Sequence, residues 1–441
     1  VTVALRQIEM ASAGDAGAKS RPPCVSAFRR TEPMPNKSMT TTLPAWLSIL
    51  IVGSIVGVSM GRAQSMGLYL APITQALGIG RESFGLAMAL TQLLMGIGAP
   101  LSGGLIDRFG AGPVITVCVL STIAGLWCMY AATTSAHLLA SGVLMGFGVS
   151  GTGVTSLVGT VGRLAPPHKR LSAIASVGMA AGIGGFVALP VMHLLIEMVG
   201  WQQSLLWLMT ITALLIPLAW PISGRPANGG AGRPQSYREA LTEAFRHPSY
   251  WLLTAGFFVC GFHVAFIMVH LPAFTLDQGL PAWVGPLALS VVGIANILGT
   301  FVAGQSGRWL AKRQALSLIY LGRSVLFLGF LLLPMTSVTV IGLCALLGLL
   351  WLATIPLTSG LVATFFGTNW MSMLFGIVFL SHQVGSFLGV WLAGRLYDMT
   401  QSYDAMWWIS IALGLLSALV NWPIQEKPVA RIAAQRLGAA S

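Results

Sequence analysis

Gly103-Gly104-Leu105-Ile106-Asp107-Arg108-Phe109-Gly110 joins two long apolar runs, and its setting decides the fold. On both sides the flanking segments are long enough to cross a hydrocarbon layer of about 30 Å, which takes roughly 20 helical residues. Charge is rare, with 8% of residues charged and 55% hydrophobic, against roughly 25% charged in soluble domains. The chain therefore reads as an integral membrane protein, and an adjacent Asp and Arg here belong in a short loop at the water boundary.

Hydropathy places twelve helical spans, at about 45–71, 83–105, 113–132, 136–161, 171–196, 202–222, 249–274, 284–305, 315–334, 338–365, 371–396 and 404–423. The fold class is all-α, with two pseudo-symmetric halves of six helices. The net charge of +12 invites a nucleic-acid reading, but the placement of the charges opposes it. All of the 24 Lys and Arg residues except Arg62, Arg81, Arg323 and Arg395 fall in segments on the side of the N-terminus. That asymmetry is the positive-inside rule, and it places both termini in the cytoplasm, here of a bacterial inner membrane. No nucleic-acid partner is expected.

The expected organisation is a disordered tail (1–43), a first half (44–222), a linker (223–247), a second half (248–424) and a tail (425–441). Val1 at the head of the chain leaves Met34 and Met39 as alternative starts. The linker carries Gly224, Pro226, Gly229, Gly230, Gly232 and Pro234. A shift of 201 positions brings Gly103 onto Gly304, Met198 onto Met399 and Trp207 onto Trp408, as a duplicated architecture requires. The second copy of the opening stretch, Gly304-Gln305-Ser306-Gly307-Arg308-Trp309, has lost its acid.

Polar residues inside the spans are the candidate site, because each is costly in hydrocarbon unless it faces a cavity or a partner. Arg62 and Gln64 lie in span 1, with Arg62 about 25 Å along it. Arg62 either faces a cavity or snorkels to the outer headgroups. The 201-residue shift sets His263 of span 7 opposite Arg62, as a central anion site would need. Asn296 lies in span 8, and His382 and Gln383 lie near the middle of span 11. His382 is either a helix contact or a titrating group. Arg323, in the middle of span 9, either pairs structurally or meets substrate. Gly146, Gly148, Gly151 and Gly153 in span 4, and Gly178, Gly182, Gly184 and Gly185 in span 5, are spaced for close helix packing. Arg395, Asp398 and Asp404 read as a local ion-paired loop at the outer end. Cys24, Cys118, Cys128, Cys260 and Cys344 lack metal spacing and read as small packing residues, so no metal or cofactor is expected.

The pattern Gly103, Leu105, Asp107, Arg108, Gly110 resembles the loop between helices 2 and 3 of the major facilitator superfamily. The resemblance implies a gating latch on the cytoplasmic side, with the Asp107 carboxylate facing a helix N-terminus of the other half. Gln64 to Pro72, Pro166 to Arg170, Gly200-Trp201 and Gly394 to Tyr403 resemble the monocarboxylate-transporter-like branch, which includes oxalate:formate antiporters. The resemblance covers about residues 44–425. Anion-specific members of that branch carry a basic residue in helix 8, and some carry a Lys in helix 11. Here span 8 offers Asn296 and span 11 offers His382, and Ala63 stands where similar sequences place the arginine before Gln-Ser.

The expected function is secondary transport of a small organic anion, a monocarboxylate, by alternating access in a monomer surrounded by lipid. No Asp or Glu lies at mid-depth in any span, which disfavours organic cations. Proton coupling would run through His382, His263 or a protonated substrate. The alternatives are an exporter of neutral or amphipathic compounds and a non-transporting membrane sensor. No paired-carboxylate, Ser-His-Asp or phosphate-loop motif points to an enzyme.

Overall fold

Inside a bilayer the backbone has no water to bond, so each crossing must satisfy itself as a helix. The computed structural model describes residues 44–153, 156–157, 160–161, 170–222, 236–307, 309–367 and 370–433, and no strand occurs among them. Among the described residues ten helices are long and apolar enough to cross a membrane. One of them, Ser176–Ile222, holds two crossings, because Gly200 at φ 81° breaks the path. Ser135–Thr152 supplies a further crossing, which brings the spans to the twelve expected.

Span 1 runs through Ala45–Ser65, a 3-10 turn Met66–Tyr69 and Leu70–Leu77. Span 2 is Arg81–Phe109, span 3 Ala111–Tyr130 and span 4 Ser135–Thr152. Spans 5 and 6 are the two arms of Arg170–Ala213, the second continued by Leu215–Ala219. Span 7 is Pro248–Asp277, span 8 Val284–Ser306 and span 9 Lys312–Leu332. Span 10 is two helices, Ser337–Leu349 and Thr354–Phe366. Spans 11 and 12 are Met371–Thr400 and Asp404–Asn421.

The stretch Gly103 to Gly110 is not the loop its charges suggested. Gly103 to Phe109 continue span 2 for about two turns, and Gly110 alone, at φ 89°, turns the chain into span 3. A glycine adopts that backbone without a Cβ clash, so one residue suffices where several were expected. Arg108, in the last turn, is exposed with its guanidinium 5.2 Å from the Phe109 ring, where the helix dipole favours a cation. The Asp107 side chain, residues 162–169, the linker 223–235, Arg308 and both chain ends lie outside the described residues.

The duplication is visible in the packing. Span 1 lies along span 5 and span 7 along span 11, one such pair in each half. Between the halves span 2 meets span 11 and span 5 meets span 8, contacts that exchange under a twofold axis. The matched residues agree in environment: Trp207 and Trp408 are each 55% exposed, and Met198 and Met399 are 80% and 70% exposed. Gly57, Gly61 and Gly184 bring spans 1 and 5 so close that none of the three has room for a Cβ.

Exposed Trp46, Trp220, Trp309 and Trp422 mark the end of the bundle that carries the linker, and Trp127, Trp283 and Trp408 mark the far end, as interfacial belts do. On the linker side Tyr237–Phe245 begins with a Ser236–Glu239 capping box and is held beneath the second half by Arg431 to Glu243 at 3.0 Å.

Candidate functional site

Span 10 is interrupted between Leu349 and Thr354, and an interrupted helix in hydrocarbon must find partners for its freed backbone groups. Arg323 of span 9 provides them. Its Nη2 donates to the Leu350 carbonyl at 2.7 Å and to the Trp351 carbonyl, and its Nε donates to Leu350 at 3.2 Å. From span 8, the Asn296 Oδ1 accepts from the Leu352 N–H at 2.9 Å. A guanidinium suits the negative end of a helix dipole, and these bonds engage Nε and Nη2 of a buried Arg323 that has no carboxylate beside it among the described residues, while its Nη1 is left without a partner there. Arg323→Ala is expected to lower folding stability by about 2 kcal/mol, through an unfilled volume and orphaned carbonyls. Thermal unfolding in detergent, with ligand affinity as the second readout, checks this.

His263 and Arg62 do not form a symmetric pair. His263 is turned toward spans 9 and 12, with Nε2 donating to the Ser410 carbonyl at 2.9 Å and the ring 4.7 Å from that of Phe327. Arg62 is 3% exposed, and among the described residues its guanidinium has neither an ion pair nor a hydrogen bond. The side chain of Gln64 lies over Gly185 of span 5. A step of two residues turns a helix by about 200°, so Arg62 leaves span 1 from a different face than Gln64.

His382 and Gln383 stay together. Gln383 Nε2 donates across the halves to the Gln92 carbonyl of span 2 at 2.8 Å, which leaves its Oε1 to accept from His382 Nδ1 at 2.8 Å. The His382 ring stacks on Phe379, 5.4 Å away at 9°. Gln383 is thus a strut between the halves, and His382 is oriented by it.

Below that strut the halves part. Spans 2 and 11 touch where Gly80 meets Asp398, Gly85 meets Val390 and Gly96 meets Gln383, but Gly103, Gly104 and Gly376 have none of the described residues within 4 Å of where a Cβ would sit. Spans 5 and 8 touch at Gly182 and Ile297, while Gly178 and Gly304 face none of the described residues within 4 Å. Both cross-half pairs therefore diverge toward the linker side and close on the far side.

The far-side closure is a charged network between the halves, where a local ion-paired loop of Arg395, Asp398 and Asp404 was expected. Asp398 of span 11 does not pair with Arg395; its two oxygens accept from the N–H groups of Arg81 and Glu82, each at 2.8 Å, at the N-terminus of span 2. Arg395 instead meets Glu82 at 3.3 Å, and Trp391 Nε1 donates to the same carboxylate at 3.0 Å. Arg81 forms a two-bond pair with Asp277 at the end of span 7, both bonds 2.6 Å, lies 3.7 Å from the Tyr397 ring centre and donates to the Tyr403 hydroxyl at 2.9 Å. Burial raises the pKa of the Tyr403 phenol, so this hydroxyl keeps its proton. Arg81, Asp277, Tyr403 and His270 give no signal in the sequence, because each lies near a span end, where a polar residue costs little. Asp398→Asn removes the charge that caps span 2, worth about 1–2 kcal/mol. A bulky maleimide should then label a cysteine placed at buried Ala89, on the span-11 face of span 2, about 5- to 30-fold faster.

The family model of the Major Facilitator Superfamily matches residues 47–390. The chain belongs to that superfamily. Among its relatives, the uncharacterized MFS-type transporter YcxA of Bacillus subtilis (strain 168) is 26% identical, over 83% of this chain and 92% of its own length. Monocarboxylate transporter 11 of Homo sapiens is 25% identical, over 85% of this chain and 82% of its own. In fold the superfamily member superposes with a TM-score of 0.68 on a bacterial homologue of the human lysosomal transporter Spinster in an inward-facing, unoccupied conformation. That comparison covers 86% of this chain and 97% of the other at 15% identity. Monocarboxylate transporters among the relatives agree with the branch that the span 1 and span 11 motifs resemble.

Proposed function

We propose that this transporter moves a small organic anion, a monocarboxylate, by alternating access, as a secondary active carrier in a bacterial inner membrane with both termini in the cytoplasm. The observation that carries the reading is Arg62. A side chain snorkelling to the headgroups would be exposed, whereas Arg62 is 3% exposed and has no protein carboxylate beside it among the described residues. A buried, unpaired guanidinium is a ready partner for a carboxylate that arrives with the substrate. Gln64 on span 1 and His382 on span 11 are the further polar groups of the proposed site, while Gln383 is engaged as the strut between the halves and His263 and Asn296 serve the packing of spans 9, 10 and 12.

With the termini in the cytoplasm, the parted side is the cytoplasmic one, and this conformation is inward-facing. Gly103, Asp107, Arg108 and Gly110 then form the latch for the opposite state, in which the cytoplasmic ends of spans 2 and 11 come together. The test is thermal stabilisation of the detergent-solubilised protein by C2 to C6 carboxylates, neutral metabolites and amphipathic drugs. A ligand at about a hundred times its Kd adds about 2.7 kcal/mol. Stabilisation by carboxylates alone is the expected result. Stabilisation by neutral or amphipathic compounds alone would transfer the reading to an exporter.

A further inference from the structure

The outer closure contains a group that it holds neutral. His270 is 0% exposed, with Nε2 at 3.0 Å from the Val390 carbonyl oxygen and Nδ1 at 2.9 Å from the Tyr403 hydroxyl. A carbonyl only accepts, so Nε2 carries the ring proton. The Tyr403 oxygen accepts from Arg81, which only donates, and its own proton goes to Nδ1. A second proton on the ring would face the hydroxyl proton of Tyr403. It would also set a cation one hydroxyl away from the Arg81 guanidinium, out of reach of water.

The surrounding charges do not offset this. Both Asp277 oxygens are bonded to Arg81, and both Asp398 oxygens to the N–H groups of span 2. Glu82 is held by Trp391 and Arg395, and Asp404 at the head of span 12 is exposed. Span 2 brings Gly85 to the ring, 3.7 Å from Nε2 to where a Cβ would sit, and its charged Arg81 reaches the ring through the Tyr403 hydroxyl. A polar cavity of about 300 Å³, lined by Gln75, Arg81, Tyr397 and Asp398 among others, reaches the outer side of this network.

From this arrangement we infer that His270 is a proton-binding site that controls the outer gate: the neutral ring permits closure, and a proton taken up from outside holds the gate open. The inference rests on the alternating-access reading above and on no particular substrate. An imidazole in water titrates near pH 6.5. A closed gate that admits no proton loses its advantage as pH falls below that value, by about tenfold in the open-to-closed ratio for each pH unit.

The experiment is a spin-label distance measurement without substrate, between cysteines placed at Thr133 and Ala282 on the outer loops of the two halves, with the native cysteines replaced. From about pH 8 to about pH 5 the wild-type open-to-closed ratio should rise about 30-fold, and His270→Gln should abolish the rise. Tyr403→Phe leaves Arg81 and His270 each one bond short and should populate the open gate already at pH 8. Asp277→Asn should lengthen the distance at both pH values. A rise in His270→Gln equal to that of the wild type overturns the proposal, as does a wild-type distance indifferent to pH in a protein that Asp277→Asn can open. A distance that no variant lengthens would overturn the alternating-access reading, and this proposal with it.

Discussion

Arg62→Gln is expected to erase binding of carboxylate ligands while the protein stays folded. Losing one partner of a desolvated, hydrogen-bonded charge pair costs about 2–5 kcal/mol, or about 30-fold to several thousand-fold in affinity. Folding should not suffer, because the guanidinium has no protein partner that the substitution would orphan among the described residues. Glutamine also removes a charge that is costly to bury. The measurement is the shift in unfolding temperature caused by a carboxylate that stabilises the wild type. A variant that retains that shift would return Arg62 to a purely structural place in span 1.

Asp277→Asn is expected to have the second largest effect, on conformation and not on affinity. The pair it breaks links the start of span 2 to the end of span 7, and the side chains of Arg81 and Asp277 are only 12% and 26% exposed. The variant leaves Arg81 charged at a site with little water, at a cost of about 2–4 kcal/mol relative to the open gate, where water reaches it. The open-to-closed ratio of the outer gate should rise by about 30- to 1000-fold. Maleimide labelling of a cysteine at Ala89 reads this out, and a labelling rate equal to that of the wild type would remove Arg81 and Asp277 from the gate.

How much of this was legible can be argued from a few residues. Trp207 and Trp408 were matched by a numerical shift alone, and their equal exposure follows because duplicated helices keep the same face toward lipid. The polarity of Arg62, His382 and Gln383 was visible because any polar side chain stands out in an apolar run. Their partners were not. His263 and Arg62 occupy equivalent positions, yet His263 is bonded to Ser410 and Arg62 to no described side chain, because helix rotation and neighbour identity decide what each meets. Arg323 offered two roles in sequence, and the break in span 10 accounts for its bonds, since the carbonyls it meets exist only where that helix stops.

By itself the sequence determined that this is a twelve-span membrane protein of duplicated halves, because hydropathy and helix length are local quantities that sum along the chain. It also carried the superfamily, through motifs confined to single segments. Only the tertiary structure decided that the halves close on the far side and part on the linker side. The contacts responsible join Arg81 to Asp277, Glu82 to Asp398 and Gln92 to Gln383. Those partners are hundreds of residues apart, and a turn of about 100° per residue on either helix would separate them.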